Sequence, residues 1–138
     1  MMQFYAIRLH PSQDLGQELS RFVCENSLRA GFIMTCVGSL RQAALRLANQ
    51  AETTIYEDKF EIVSLVGTLD TEGYHLHVSL SDGRGRTIGG HLQEGCLIYT
   101  TAEIIIGEME DVIFSRPFDP QTGYPELEIL SDRAFKSH

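Results

Sequence analysis

The segment Tyr74–Leu92, YHLHVSLSDGRGRTIGGHL, restricts the fold more than any other part of the chain. Polar and apolar residues alternate from His75 to Ser81, which is the strand period of two. Asp82-Gly83 then supplies a turn, and Thr87–Leu92 begins a second strand. Further apolar, branched stretches flank this hairpin at similar spacing: FIMTCVGSL, KFEIVSLVGTL, CLIYTTAEIIIGEME and DVIFSRPFD. Strands this close in sequence are joined by hairpins, because a parallel pair needs a crossover of a dozen or more residues. The sheet is therefore expected to be mostly antiparallel, and a doubly wound nucleotide fold is disfavoured. The glycines of DGRGRTIGG match neither G-x-G-x-x-G between a strand and a helix nor a phosphate loop ending in Lys-Ser/Thr.

The rest of the chain adds one helix and more sheet. QFYAIRLH, Gln3 to His10, reads as a first strand closed by Pro11. Leu15, Leu19, Phe22 and Val23 recur at helical spacing, with Ser12 or Asp14 available as cap and Gly31 able to end the segment. RQAALRLANQ fits alternation at Arg41, Ala43, Leu45 and Leu47, although its composition also suits a helix. After Pro117 the chain is rich in turn formers, and ELEIL offers a late edge strand. These elements predict an α+β fold on a mostly antiparallel sheet. At 138 residues the chain has the length of one domain, residues 1–138. No apolar run approaches the length of a membrane span, and MMQFYAIRLH lacks the pattern of a secretory leader, so a cytoplasmic location is expected.

Chemistry concentrates in the histidines. His75 and His77 are two apart on one strand, which puts both imidazoles on one face and Leu76, Val78 and Leu80 on the other. The turn can return His91 to the same neighbourhood, and Gly89 and Gly90 permit close backbone approach there. Three neutral imidazoles at nitrogen–metal distances of roughly 2.0–2.1 Å suit Zn²⁺ or another divalent transition metal, with a fourth position left open. The competing reading of His75-x-His77 is a pair of hydrogen-bonded residues on a half-buried sheet.

Other residues speak less clearly. Glu61 and Glu103 interrupt apolar strands and would need partners if they faced inward. Glu103 is the candidate general base if the ion activates a water on a small substrate. No G-x-S-x-G elbow is present, and Cys24, Cys36 and Cys96 form no C-x-x-C pair, so they are expected to be buried, reduced thiols. GRGR resembles the core of a minor-groove hook but lacks the following proline and sits beside Asp82. The formal charge of −8 also opposes binding to a polyanion.

RLHPSQDL, CVGSLRQAALR, KFEIVSLVGTL, HLHVSLSDGRGRTIGGHLQEGC and TAEIIIGE together resemble the plants-and-prokaryotes-conserved (PPC) domain, over about residues 8–118. His75-x-His77 followed by Gly89-Gly90-His91 resembles its prokaryotic, stand-alone branch. The resemblance implies an α/β fold with a central antiparallel sheet flanked by helices, assembling as a homotrimer. It also implies that His75, His77 and His91 are metal ligands, most simply for zinc. Plant members accompany separate AT-hooks, and prokaryotic relatives are often described as predicted DNA-binding proteins. This chain has no AT-hook and is acidic, which argues against direct DNA recognition, and Ser12 stands where the family commonly has glycine. Three readings follow: a metal-binding regulatory module with a small-molecule ligand, a DNA-binding regulator, and a metal-dependent enzyme with Glu103 as base. The first is the expected one.

Overall fold

The structure, a computed structural model, describes residues 1–131; the last residues of the expected 1–138 domain, 132–138, lie outside the described residues. The elements in order are β1 (Met2–Leu9), α1 (Leu15–Glu25), β2 (Gly31–Arg46), β3 (Thr53–Tyr56), β4 (Phe60–Asp70), β5 (Gly73–Ser81), β6 (Thr87–Leu92) and β7 (Leu97–Met109). Shorter strands follow: β8 (Val112–Ser115), β9 (Phe118–Asp119), β10 (Tyr124–Pro125) and β11 (Glu128–Ser131). The main sheet has the order β1-β7-β2-β4-β5-β6, with β3 also on β2, and its ladders are antiparallel. ELEIL does supply a late strand, β11, paired with β8.

Strand β2 organises this sheet. FIMTCVGSL and the RQAALR of RQAALRLANQ, which read as separate strands, join with Gly31 in one strand of 16 residues, longer than most. Its pairing with β7 shifts register between Ile33 and Thr35, Gly38 and Leu40, and Leu40 and Gln42. Such bulges bend a strand and increase its twist. The bend carries the end of β2 around to β6, where Leu45 pairs with Leu92 and Arg46 with His91. Strands β2, β4, β5 and β6 thereby close on one another. Ala43, Ala44 and Leu45 are all fully buried in the closure, so this stretch shows neither strand nor helix periodicity.

One face of the sheet forms the core. Leu15, Leu19 and Val23 of α1 pack there with Leu40, Leu65, Leu76, Leu80, Ile104 and Ile106. Asp14 is the N-cap: Gln17 N–H donates to its Oδ1 (3.1 Å) and Gly95 N–H to its Oδ2 (2.7 Å), tying the helix start to the β6–β7 turn. The helix stops at Glu25, well before Gly31, because Ser27 takes a left-handed conformation at φ 53° and Leu28 N–H bonds back to the Val23 carbonyl. Ser12 is also left-handed, at φ 71°.

The expectation of a helix-flanked α/β fold is corrected. Among the described residues there is one helix, of 11 residues, and it covers one face only. The physical reason lies in the sequence after Glu25, which has no second apolar stripe of helical period: QAALR, helical by propensity, is drawn into the sheet by its pairing with β3, β6 and β7. The opposite face stays open. Phe4, Gly107, Phe32, Thr68 and His75 stand opposite one another across five strands and so project to that side. None of the described helices is long and apolar enough to cross a membrane.

Gly67 lets β4 approach β5 behind His75. Its φ is +136°, and a Cβ there would collide with the His75 carbonyl. Gly67→Ala is expected to lower stability by at least about 2 kcal/mol, measured by urea unfolding. A loss below about 0.5 kcal/mol would contradict this reading of the strand contact.

Candidate metal centre

The register fixes the three histidines. His77 stands opposite His91 in the β5–β6 ladder, and His75 lies one strand period away on the same face. Leu76, Val78 and Leu80 are buried on the other face, as the alternation requires. Gly90 allows β6 to close against β2, since a Cβ at this position would lie 2.9 Å from the Arg46 carbonyl. One ligand-type atom from each of His75, His77 and His91 lies within 4.8 Å of the others. The His75 and His77 Nε2 atoms are 3.2 Å apart. Two nitrogens bound to one tetrahedral zinc are separated by about 3.3 Å, so this pair already has the required bite. A metal held by this pair would displace the proton of their hydrogen bond.

The electrostatics favour neutral rings. Burial, His77 and Arg116 hold the His75 pKa below its ordinary value. Burial first, then Arg46 and the other two histidines, lowers that of His91 to about 4. His91 is thus available as a lone-pair donor well below neutral pH, and His75 is shifted in the same direction, toward the neutral form a metal needs.

The triad opens into a cleft of about 780 Å³, lined by His75, His91, Arg46, Glu72, Arg116 and Glu126, among others. Arg46 Nη2 lies 3.4 Å from His91 Nδ1. Arg116 Nε–H donates to Asp70 Oδ2 (2.8 Å) and its Nη2 to Thr68 Oγ1 (3.0 Å), while Thr68 stands opposite His75. Asp70 Oδ1 accepts from Glu72 N–H (2.8 Å), and Glu72 Oε2 accepts from Arg116 N–H (2.7 Å). Asp70 is 3 % exposed, so its carboxylate is paired away from water. Sequence reasoning missed Arg46 and Arg116. Each is tens of residues from its histidine, and no local pattern marks it.

Glu103 is not brought to the site. It is exposed on β7, and β2 and β4 separate that strand from the histidines of β5. Three strand spacings amount to about 14 Å. Glu61 is likewise exposed, and the Thr100 hydroxyl pairs with Ser39 Oγ at 2.8 Å. The thiols differ from expectation: only Cys96 is buried, Cys36 is partly so and Cys24 is exposed, and all three are free. Burial raises Cys36 to about 12 and Cys96 to about 11, so neither is a thiolate at neutral pH. GRGR is a turn, with Arg84 and Arg86 N–H groups both donating to Asp82 Oδ1 (2.8 and 2.9 Å).

Known proteins share this sequence and fold. The family described as the Plants and Prokaryotes Conserved (PCC) domain matches residues 1–110. The bifunctional protein GlmU of Synechococcus sp. (strain JA-3-3Ab) is 52% identical over 128 residues, which are 93% of this chain and 21% of that protein. This chain thus spans about a fifth of the length of that curated relative. A hypothetical protein of Salmonella enterica has a solved structure that superposes with a TM-score of 0.93 at 45% identity, covering 96% of each chain. The metal-containing protein AF0104 of Archaeoglobus fulgidus superposes with a TM-score of 0.78 at 26% identity, covering 91% of this chain and 93% of that one.

The lowered His91 pKa sets a pH dependence. Below about pH 6.5 the unfolded chain binds a proton that the folded site refuses, so stability present above that pH is lost as pH falls toward 4. Urea unfolding of metal-free protein at pH 7 and 4.5 should show a larger loss in the wild type than in His91→Gln. Equal losses would contradict it.

Proposed function

The chain belongs to the Plants and Prokaryotes Conserved domain family, and we propose that it acts there as a homotrimeric metal-binding module rather than as an enzyme or a DNA reader. The observation that carries the metal is the convergence of His75, His77 and His91 with two Nε2 atoms 3.2 Å apart. Three imidazoles suit zinc, or another divalent transition ion that accepts nitrogen ligands. When bound, such an ion supplies a Lewis-acidic centre with room for an exogenous ligand. The similarity to a metal-containing archaeal protein supports the same reading. The match to one fifth of a longer bifunctional protein supports a portable module.

The open sheet face supports assembly. Phe4, Val37 and Val66 are each more than half exposed, and register places them on the side that carries the histidines. Exposed apolar area of this kind on one sheet face marks an interaction surface. A cyclic trimer would cover it while leaving each chain its own triad.

The competing readings draw on residues outside the triad. Enzymatic use of the ion was to rest on Glu103, which lies strands away from the triad. DNA recognition was to rest on Arg84 and Arg86, whose backbones are fixed around Asp82 in a tight turn on an acidic chain.

Two measurements test the proposal. Metal analysis after dialysis against zinc should give one ion per chain in the wild type and less than a tenth of that in a His75→Ala/His77→Ala double variant. Equal content would remove the site. Sedimentation equilibrium should give three times the chain mass of 15.5 kDa, and Val37→Glu/Val66→Glu should shift it toward the monomer. A monomeric wild type would remove the assembly.

A further inference from the structure

Among the described residues, Arg46 is a half-buried cation without an acidic partner. Among the described residues no carboxylate lies within ion-pair distance of it, and its hydrogen-bond contact is the His91 Nδ1 at 3.4 Å. A guanidinium taken partly out of water without a counter-charge is unfavourable. Its position beside one of the three imidazoles makes this worse, since it repels any cation they hold. A site built only to hold a metal would gain from a neutral residue at this position.

The other flank repeats the pattern. Arg116 sits over Thr68, the cross-strand partner of His75, so two guanidinium groups bracket the histidines along one cleft. The acids in and beside this cleft are already engaged. Asp70 accepts from Arg116 and Glu72, Glu72 accepts from the Arg116 backbone, and Glu126 accepts from the Thr122 hydroxyl at 3.0 Å. None of them reaches Arg46. The cleft volume of about 780 Å³ falls in the range of small-molecule sites, roughly 300–1,000 Å³, and exceeds what an ion and a water need.

From this arrangement we infer that the cleft takes a small molecule through an oxyanion, a carboxylate or a phosphate monoester, bound by Arg46 and facing the histidine triad, with Arg116 on its far side. The inference rests on the metal-binding reading and specifies its ligand. The planar fork of Arg46 suits two oxygens of one anion. The anion also cancels the repulsion between Arg46 and a triad-held cation, so metal and anion binding must reinforce each other reciprocally.

That coupling is measurable without any activity. Zinc affinity of the full chain is determined by competition with a chromophoric chelator, in sodium chloride and then in sodium acetate or methyl phosphate at equal ionic strength. In the wild type, at least one of the two oxyanions is expected to tighten zinc by at least about fivefold. The larger response tells carboxylate from phosphate. Arg46→Gln is expected to bind zinc more tightly than wild type in chloride and to gain less than twofold from either oxyanion. Arg46→Met should give the same pair of results, and either variant, shown folded by circular dichroism, suffices. A wild type that binds zinc with no oxyanion response overturns the inference, as does an equal response in the variants. A wild type that binds no zinc overturns the metal-binding reading itself.

Discussion

The closure of β2 onto β6 is the constraint on which the site depends. A strand of 16 residues with three register shifts bends far enough for Arg46 to pair with His91. The same β6 is held from its other side by β5, where His91 faces His77. His91 is therefore fixed between two ladders. A hairpin alone would leave its position to a two-stranded ribbon, which is marginal in water. Closure also brings Arg46 to the histidines, so geometry and charge at the site have one structural origin.

The proposed site trades stability for binding. Burial and neighbouring positive charge lower the pKa of both His75 and His91, so the folded state resists protonation. Arg46 and the buried Asp70–Arg116 pair concentrate charge where an all-apolar packing would be more stable. Local rules broken in one place point to a function that restores the balance. In the proposed module, a metal on the triad and an oxyanion on Arg46 restore it together.

Sequence reasoning reached the parts of this arrangement that are local. The period of two in His75-x-His77, the buried Leu76, Val78 and Leu80, the Asp82 turn and the apolar stripe of α1 all depend on neighbours within a few residues. Most readings that failed depend on distant ones. The Ala43–Leu45 run does lie in a strand, but it continues β2 instead of starting a new one, and closure buries it on both sides. Gly31 looked like a helix stop, but Ser27 turns the chain earlier and Gly31 opens β2. Glu103 stood out as a candidate base because it interrupts an apolar strand, and the strand order shows what separates it from the site. Arg46 and Arg116 carried no signal at all, since their roles arise from pairings across 45 or more residues.

X-ray absorption at the zinc edge of the loaded protein tests the three-histidine centre most directly, because it counts the ligands themselves. The predicted result is a shell of nitrogen and oxygen at about 2.0–2.1 Å, with outer-shell scattering that fits three imidazoles and no sulfur. A sulfur contribution near about 2.3 Å, or a shell fitted by fewer than three imidazoles, would contradict it.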